Sequence, residues 1–330
     1  MRVLFSGYRD YNHSSAGGYD KIIGYPGGDY ISDRDVPLGF LPLGKRGKGL
    51  NLLFLDIYTH ILRRKYDIIH LFYGDTIILP YYKSRSHKVV ATVHLSIADK
   101  QNHHANFINV LKCLDGVIVL SSQQEKILKE EYNIEAKFIP HGFLKPIFDL
   151  ISFPEFEDVF SANKINVFYS GSNYRDVKLF IETVVYCNHH HLNIFFHVVG
   201  QKENIEQQLR HLDNVACYRR LSDNEYFSVL SLCDYNYLPL TFATANNALL
   251  EAQFLGVRGI YPYIAGIEDY AAPEPLNLFY KTKQELFSIF ENISKVENSS
   301  LLLMEYSKKF LWENVYNKLS DYYKGLFLHY

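Results

Sequence analysis

The stretch Ala243-Thr-Ala-Asn-Asn-Ala-Leu-Leu-Glu-Ala252, continuing as Gln253-Phe-Leu-Gly256, places one carboxylate, Glu251, in a helix whose start is built from small and amide side chains. Small residues let backbone N–H groups at a helix N-terminus approach a phosphate, and an ionised carboxylate accepts hydrogen bonds from the hydroxyls of a ribose. The pattern suits a nucleotide sugar. Thr244, Ala245, Asn246 and Asn247 are donor- and phosphate-binding candidates, Asn246 and Asn247 could reach the diphosphate, and Glu251 would hold the ribose. The structural alternative is an amphipathic helix with Leu249, Leu250 and Phe254 in the core and Glu251 in solvent.

A second candidate lies after the first apolar run. Gly17 and Gly18, within Ser14-Ser-Ala-Gly-Gly-Tyr-Asp20, permit close backbone approach to an anion. The glycine pattern is not G-x-G-x-x-G, which disfavours a nicotinamide cofactor. The tract Asn188-His-His-His191 has metal-ligand residue types, but consecutive histidines point different ways, so exposed surface is expected there and no bound metal. Cys113, Cys187, Cys217 and Cys233 are scattered without paired spacing, which suggests neither a disulfide framework nor a zinc site.

These groups need a scaffold, and the apolar pattern supplies one. Arg2 to Ser6, Ile68 to Phe72, Val89 to Val93 and Val117 to Leu120 read as strands, with helices at Leu50 to Leu62 and Ser122 to Tyr132. From Ile165 the pattern restarts. Strands are expected at Ile165 to Tyr169, Ile194 to Val199, Val215 to Tyr218, Asp234 to Pro239 and Arg258 to Tyr261. Helices are expected at Val177 to Tyr186, from Ile205, from Asp223 and at Ala245 to Phe254. Alternation of this kind is the mark of parallel sheets wrapped by crossover helices. The class is therefore α/β, with two Rossmann-like doubly wound domains. Phe143 to Asn163, with Pro146 and Pro154, reads as the linker, giving domains 1–150 and 151–330. Leu301 to Phe327 reads as a terminal helical pair at the domain edge, its last helix packing back toward the N-terminal domain. Doubly wound sheets bind ligands outside the carboxyl ends of their strands, so a cleft between the halves is the expected active site.

A length of 330 residues agrees with two domains. No apolar run approaches the roughly 18 residues that cross a bilayer, and Met1-Arg-Val-Leu-Phe-Ser-Gly7 reads as a first strand and not a signal peptide, so a cytoplasmic protein is expected. Net charge is −2, divided as +4 over residues 1–150 and −6 over the remainder. A near-neutral balance without a basic helix argues against nucleic acid. Two basic clusters, Gly44-Lys-Arg-Gly-Lys-Gly49 and Arg63-Arg64-Lys65, could meet anionic lipid headgroups at the inner face of a membrane or a phosphate-bearing acceptor.

Seven strings taken in order resemble family 4 glycosyltransferases of the GT-B fold. They are Val90-Ala-Thr-Val-His94, Val117-Ile-Val-Leu-Ser-Ser122, Phe138-Ile-Pro-His-Gly142, Tyr169-Ser-Gly171, Val198-Val-Gly200, Asn246-Asn-Ala-Leu-Leu-Glu-Ala252 and Phe310-Leu-Trp-Glu313. The resemblance spans nearly the whole chain. It implies transfer of a sugar, with retained configuration, from a nucleoside diphosphate donor bound mainly by the C-terminal domain to a glycan, lipid-linked or polysaccharide acceptor held by the N-terminal domain. It implies no cofactor and no metal, because cationic side chains and helix N-termini stabilise the departing diphosphate. Front-side attack needs no enzymic nucleophile, so the lack of a Ser-His-Asp or paired-carboxylate constellation does not count against catalysis.

By the same resemblance His94, Arg175 and Glu251 are the expected catalytic residues. Arg175 stands at the family lysine in Gly171-Ser-Asn-Tyr-Arg-Asp-Val-Lys178, while Ser172 replaces the family arginine, with Lys178 a stand-in near Gly171. Glu251 matches the second glutamate of the E-x7-E pattern, and Ala243 replaces the first, so the donor sugar is held differently, with the backbone amides of Thr244 to Asn247 the expected replacements. Tyr218, Arg219 and Arg220 mark the nucleobase region, where Arg219 replaces a glycine and leaves UDP, GDP and ADP open. Glu268 and Asp269 are supporting acids, and His141 shapes a turn. Ser172 and Ala243 motivate the alternative of a catalytically silent GT-B scaffold that binds nucleotide sugar or glycan in a polysaccharide-assembly complex. An epimerase would need more acid and base groups than the chain offers.

Overall fold

The computed structural model describes residues 1–8, 14–36, 48–99, 106–149, 160, 163–295 and 300–328. Its chain forms two compact units. One comprises Met1–His13, Gly18–Phe143 and Phe310–Tyr330; the other comprises Ser14–Gly17 and Leu144–Lys309.

The first unit contains β1 (Val3–Ser6), β2 (Gly28–Ile31), α1 (Lys48–Leu62), β3 (Ile68–Leu71), β4 (Lys88–Val93), α2 (Phe107–Lys112), β5 (Gly116–Val119), α3 (Ser122–Tyr132) and β6 (Ala136–Phe138). The strands form a parallel sheet in the order β2-β1-β3-β4-β5-β6. β1, β3, β4 and β5 are buried at every position, the continuous apolar reading of strands covered on both faces. Local chemistry sets the ends of α3: the Ser121 side chain accepts from the Gln124 N–H, and Asn133 closes the helix in the left-handed region at φ 53°.

The second unit contains β7 (Ile165–Ser170), α4 (Val177–His189), β8 (Ile194–Val199), α5 (Glu203–Leu209), β9 (Val215–Tyr218), α6 (Asp223–Ser231), β10 (Tyr235–Tyr237), α7 (Asn247–Phe254), β11 (Arg258–Pro262), α8 (Ala265–Glu268), β12 (Leu278–Tyr280), α9 (Lys283–Asn292) and α10 (Ser300–Ser307). Its sheet is parallel in the order β12-β11-β10-β7-β8-β9. The order reverses around β7, which opens the carboxyl ends of β7 and β10 for a ligand. Ser222 and Glu225 form a capping box that starts α6. Val167, Tyr169, Phe180, Phe196, Tyr237 and Phe290 belong to one core cluster of this unit.

The last helix, α11 (Trp312–Gly325), packs in the first unit. Phe143 donates to the Phe310 carbonyl and accepts from the Trp312 N–H, at 3.0 and 3.1 Å. A buried polar line continues the attachment: Tyr323 Oη meets His70 Nδ1 at 2.5 Å, His70 Nε2 meets Thr92 Oγ1 at 2.7 Å, and Thr92 meets Tyr19 Oη at 3.0 Å. The terminal helical pair expected from Leu301 to Phe327 is thus divided. α10 packs against α7 in the second unit, and a 3₁₀ turn at Lys308–Phe310 separates it from α11.

The short strands β2, β6 and β12 and the helices α2 and α9 fall where no element was expected. β2 and β6 carry polar or half-exposed residues and lie at the sheet edges, so neither reads as a buried apolar run. In the linker, residues 150–159 and 161–162 lie outside the described residues, as do residues 44–47 of the first basic cluster. No helix among the described residues is long and apolar enough to cross a membrane.

Candidate functional site

Glu251 is 3% exposed, which removes the reading of a solvated helix carboxylate. It sits in the second turn of α7, whose first N–H groups are organised by the Asn246 side chain accepting from Leu249 N. Two hydroxyls donate to its carboxylate: Ser14 Oγ to Oε1 at 2.5 Å and Tyr226 Oη to Oε2 at 3.0 Å. Burial raises its pKa, the two hydrogen bonds oppose that shift, and the charge of Asp223 adds to it. A buried carboxylate met by two hydroxyls is prepared to exchange one hydroxyl partner for another, which is what recognition of a diol requires.

Residues Ser14–Gly17 complete this part of the second unit. Ser14 Oγ also accepts from Gly17 N at 3.0 Å, and Ser15 N donates to Asp223 Oδ2 at 2.7 Å. A Cβ on Gly17 would stand 3.0 Å from both Asn247 Cγ and Glu251 Oε1, so the backbone here reaches the carboxylate because residue 17 has no side chain. Gly18 belongs to the first unit and precedes the 3₁₀ turn Tyr19–Gly24.

Arg175 approaches the same place from β7. Gly171 ends that strand at φ 79°, in the region glycine tolerates. The turn is anchored by Tyr174 O accepting from Thr241 N at 2.9 Å and by Asp176 N donating to Pro239 O at 2.7 Å. Asp176 then caps α4 by accepting from Leu179 N. The Arg175 side chain folds over this turn, donating Nε to Ser170 O at 2.9 Å and Nη1 to Asn173 O at 3.3 Å. No carboxylate pairs with it among the described residues. Burial lowers its pKa, while Tyr169, Tyr226 and Tyr261 act in the opposite direction, and a guanidinium in such surroundings keeps its charge. Ser170 Oγ lies 3.4 Å from Tyr226 Oη, so a continuous line runs from Arg175 through Ser170 and Tyr226 to Glu251. Gln201 Nε2 donates to Gly171 O at 2.9 Å and Val199 O at 3.2 Å, tying the ends of β7 and β8 together.

The other expected donor residues take varied positions. Thr244 is buried, Ala245 is half-buried, and Asn247 lies against Gly17. Ser172 is exposed in the turn after Gly171. Lys178 points outward, paired across one helical turn with Glu182 at 4.0 Å. In the nucleobase region Tyr218 closes β9 and its hydroxyl meets His197 Nδ1 at 3.0 Å. Arg219 pairs with Glu206 at 2.8 Å and Glu203 at 3.2 Å, both on α5, and Arg220 is exposed. His189, His190 and His191 are exposed, and no cluster of metal-ligating side chains occurs among the described residues.

His94 is described within the first unit. It follows β4, and its ring lies edge-on to Tyr19 and beside Tyr73, with both centroids at 4.6 Å. Nε2 is 2.7 Å from Phe72 O, so that nitrogen carries the proton. The Asp75 carboxylate accepts from His94 N at 2.8 Å and Leu95 N at 3.0 Å, and burial raises the Asp75 pKa to about 6. His141 Nδ1 stands 2.5 Å from Gly142 O, within its own turn.

Sequence reasoning missed Ser14, Ser170, Tyr226, Gln201 and Asp75. Ser14 had a local signal, since a serine three residues before a glycine can accept that glycine's N–H. Tyr226 had none, because its pairing with Glu251 joins residues 25 positions apart.

No protein-family model matches the chain, and no curated protein does. Solved structures do. Sucrose-phosphate synthase from Thermosynechococcus elongatus superposes at TM-score 0.73, with 16% identity and 100% of both chains covered. HepE from Anabaena, in complex with UDP and glucose, gives 0.69, with 14% identity over 98% of this chain and 100% of its own. WaaG, a glycosyltransferase involved in lipopolysaccharide biosynthesis, gives 0.63, with 16% identity and the same coverage. At these identities the likeness establishes the fold, which is GT-B.

Proposed function

We propose that this chain is a glycosyltransferase that moves a sugar from a nucleoside diphosphate donor to a glycan or lipid-linked acceptor in the cytoplasm, retaining configuration and using no metal. The observation that carries the reading is Glu251: a buried carboxylate at the carboxyl edge of a GT-B sheet, reached by two hydroxyls and joined to the Arg175 turn. HepE, of the same fold, holds UDP-glucose in one of its structures, which supports a nucleotide-sugar ligand.

In this reading Glu251 accepts from the ribose hydroxyls, displacing a protein hydroxyl as it does so. Arg175 stabilises the diphosphate as negative charge gathers on the leaving oxygen. Two of its nitrogens are already held by carbonyls, so the guanidinium is positioned before the donor arrives. The N–H groups around Asn246 and Asn247 add the helix-terminal field for the phosphates. His94 is a proposed catalytic residue, its backbone N–H held by Asp75.

The test is a thermal-shift series of the purified protein with UDP, GDP and ADP and with their sugars. A ligand that binds only the folded state raises the melting temperature. Stabilisation by one nucleotide, abolished in Glu251→Ala, is expected; the absence of a shift with all three would refute the donor site. With the donor in hand, the anomeric signal of the first-formed product tests retention, and undiminished turnover in a chelator tests metal independence.

A further inference from the structure

The first unit carries an apolar and basic face outside the candidate site. On α1, Leu55, Asp56 and Thr59 point inward, while Ile57 is 41% exposed and Ile61, one turn further on, is 66% exposed. Segment 77–85 runs beside this helix. Asp56 Oδ2 accepts from Ile78 N at 2.8 Å and Leu79 N at 3.0 Å, and the Tyr81 ring stacks on His60 at 4.1 Å. Its exposed side chains include Ile78 at 42% and Tyr82 at 70%. Four large apolar side chains therefore project from two segments that are hydrogen-bonded to each other.

The same strip is basic. Arg63, Arg64 and Lys65 follow α1, and Lys83 and Arg85 follow Tyr82. Arg63 Nη1 is 2.8 Å from His60 Nδ1, which places it beside Tyr81. None of these five cations has a carboxylate within ion-pair distance among the described residues. The one acid within 48–66 and 77–87 is Asp56, which is buried and occupied by backbone N–H groups. The nearest exposed acid along the chain, Asp67, accepts from Arg2 N at 2.7 Å. The cations act together: Arg63, Arg64 and Lys88 add to the burial that lowers the His87 pKa, Asp115 acting against them, and Arg63 and His87 add to the burial that lowers that of His60.

We propose that this face, α1 with segment 77–85, seats on an anionic phospholipid bilayer. Ile57, Ile61, Ile78 and Tyr82 enter the headgroup boundary, and Arg63, Arg64, Lys65, Lys83 and Arg85 meet lipid phosphates. The charge is of one sign, which fits a polyanionic surface. An apolar patch alone would hold the protein only marginally, and five cations with four apolar side chains supply the two signals that stable peripheral binding requires. The proposal does not depend on the donor site.

The experiment is vesicle co-sedimentation of the full chain, using phosphatidylcholine alone and phosphatidylcholine mixed with phosphatidylglycerol. Binding is expected only with the anionic lipid, and high salt is expected to release it. Arg64→Glu with Lys65→Glu is expected to lower the partition coefficient by at least roughly 25-fold, about five-fold for each cation lost near an anionic surface. Ile61→Ser with Tyr82→Ser is expected to weaken binding at unchanged charge. Lys126→Glu with Lys129→Glu, on exposed α3 of the same unit, serves as the matched control and is expected to change little. The proposal is overturned if the wild type ignores anionic vesicles at low salt, or if the α3 pair weakens binding as much as the α1 pair. It is also overturned if inorganic phosphate abolishes binding while the Ile61 and Tyr82 changes leave it intact.

Discussion

Tyr226 donates to Glu251 at 3.0 Å, and burial raises the pKa of both groups, so the tyrosine remains a donor and the carboxylate is the group that titrates. Nucleotide binding in the proposed site needs that carboxylate ionised. Affinity should therefore fall as pH drops through the Glu251 pKa. Tyr226→Phe keeps the ring and deletes one hydrogen bond that favours the ionised form, so the fall should begin at higher pH. Dissociation constants measured against pH for the wild type and Tyr226→Phe check this. Superimposable profiles would mean that the hydroxyl does not tune the carboxylate.

Arg175 and Glu251 should separate kinetically. Glu251 is expected to hold the ground-state nucleotide, and Glu251→Ala removes charge-assisted hydrogen bonds of about 1.5–3 kcal/mol, a loss of roughly 10- to 150-fold in affinity. Arg175 opposes charge that develops only as the bond breaks, so Arg175→Ala should lower kcat by about 10²- to 10³-fold with a smaller change in KM. Steady-state kinetics with the donor found by thermal shift decides the matter. An Arg175→Ala defect confined to KM would assign the guanidinium to ground-state binding alone.

Gly17→Ala tests how closely the backbone at residue 17 must approach the carboxylate. The added methyl would meet Asn247 and Glu251 Oε1 at 3.0 Å, so one of them must yield. Overpacking of this kind costs about 1–3 kcal/mol, partly offset by about 0.4–1 kcal/mol from the stiffer unfolded chain. The net is destabilising, so the expected outcome is a melting temperature lowered by a few degrees with nucleotide affinity lowered several-fold. Unchanged affinity would place the ligand away from Gly17.

The sequence made legible the residues whose roles are local. Buried parallel strands announce themselves as continuous apolar runs, and Ile194–Val199 falls at the expected residues. Glu251 and Arg175 are expected from the motif; in the structure Tyr226 donates to Glu251 and meets Ser170 Oγ, and the Ser170 carbonyl accepts from Arg175 Nε. Those two intermediaries were not legible, because a hydroxyl on β7 and another on α6 acquire meaning only when the sheet order sets them side by side. Arg219, which the motif puts in the nucleobase region, has its guanidinium paired with Glu203 and Glu206 on α5, a pairing with no local signal in the sequence. Edge strands such as β2 were lost for a physical reason, since half-exposed strands lack the apolar continuity that marks central ones.

Stability should depend on pH through buried groups of opposite sign. Burial, aided by the charge of His94, lowers His70 to about 3, and burial lowers His197 to about 3. The unfolded chain takes up these protons near pH 6.5, so the stability they contribute is complete above that pH and is lost progressively as pH falls toward 3. Asp56 and Asp75 are raised by burial to about 6, so their contribution is complete below about 3.8 and is lost as pH rises through 6. From pH 7 to about 6 the histidines dominate, and stability should decline by at most about 1.4 kcal/mol per pH unit for each of them. Below about pH 6 the native carboxyls begin to take up protons and the decline should flatten. Asp75→Asn keeps an oxygen for His94 N and Leu95 N but cannot titrate, so its decline below pH 6 should be steeper than that of the wild type. Urea unfolding across this range measures both slopes, and a wild-type stability that rises between pH 7 and pH 6 would show that neither buried histidine resists protonation.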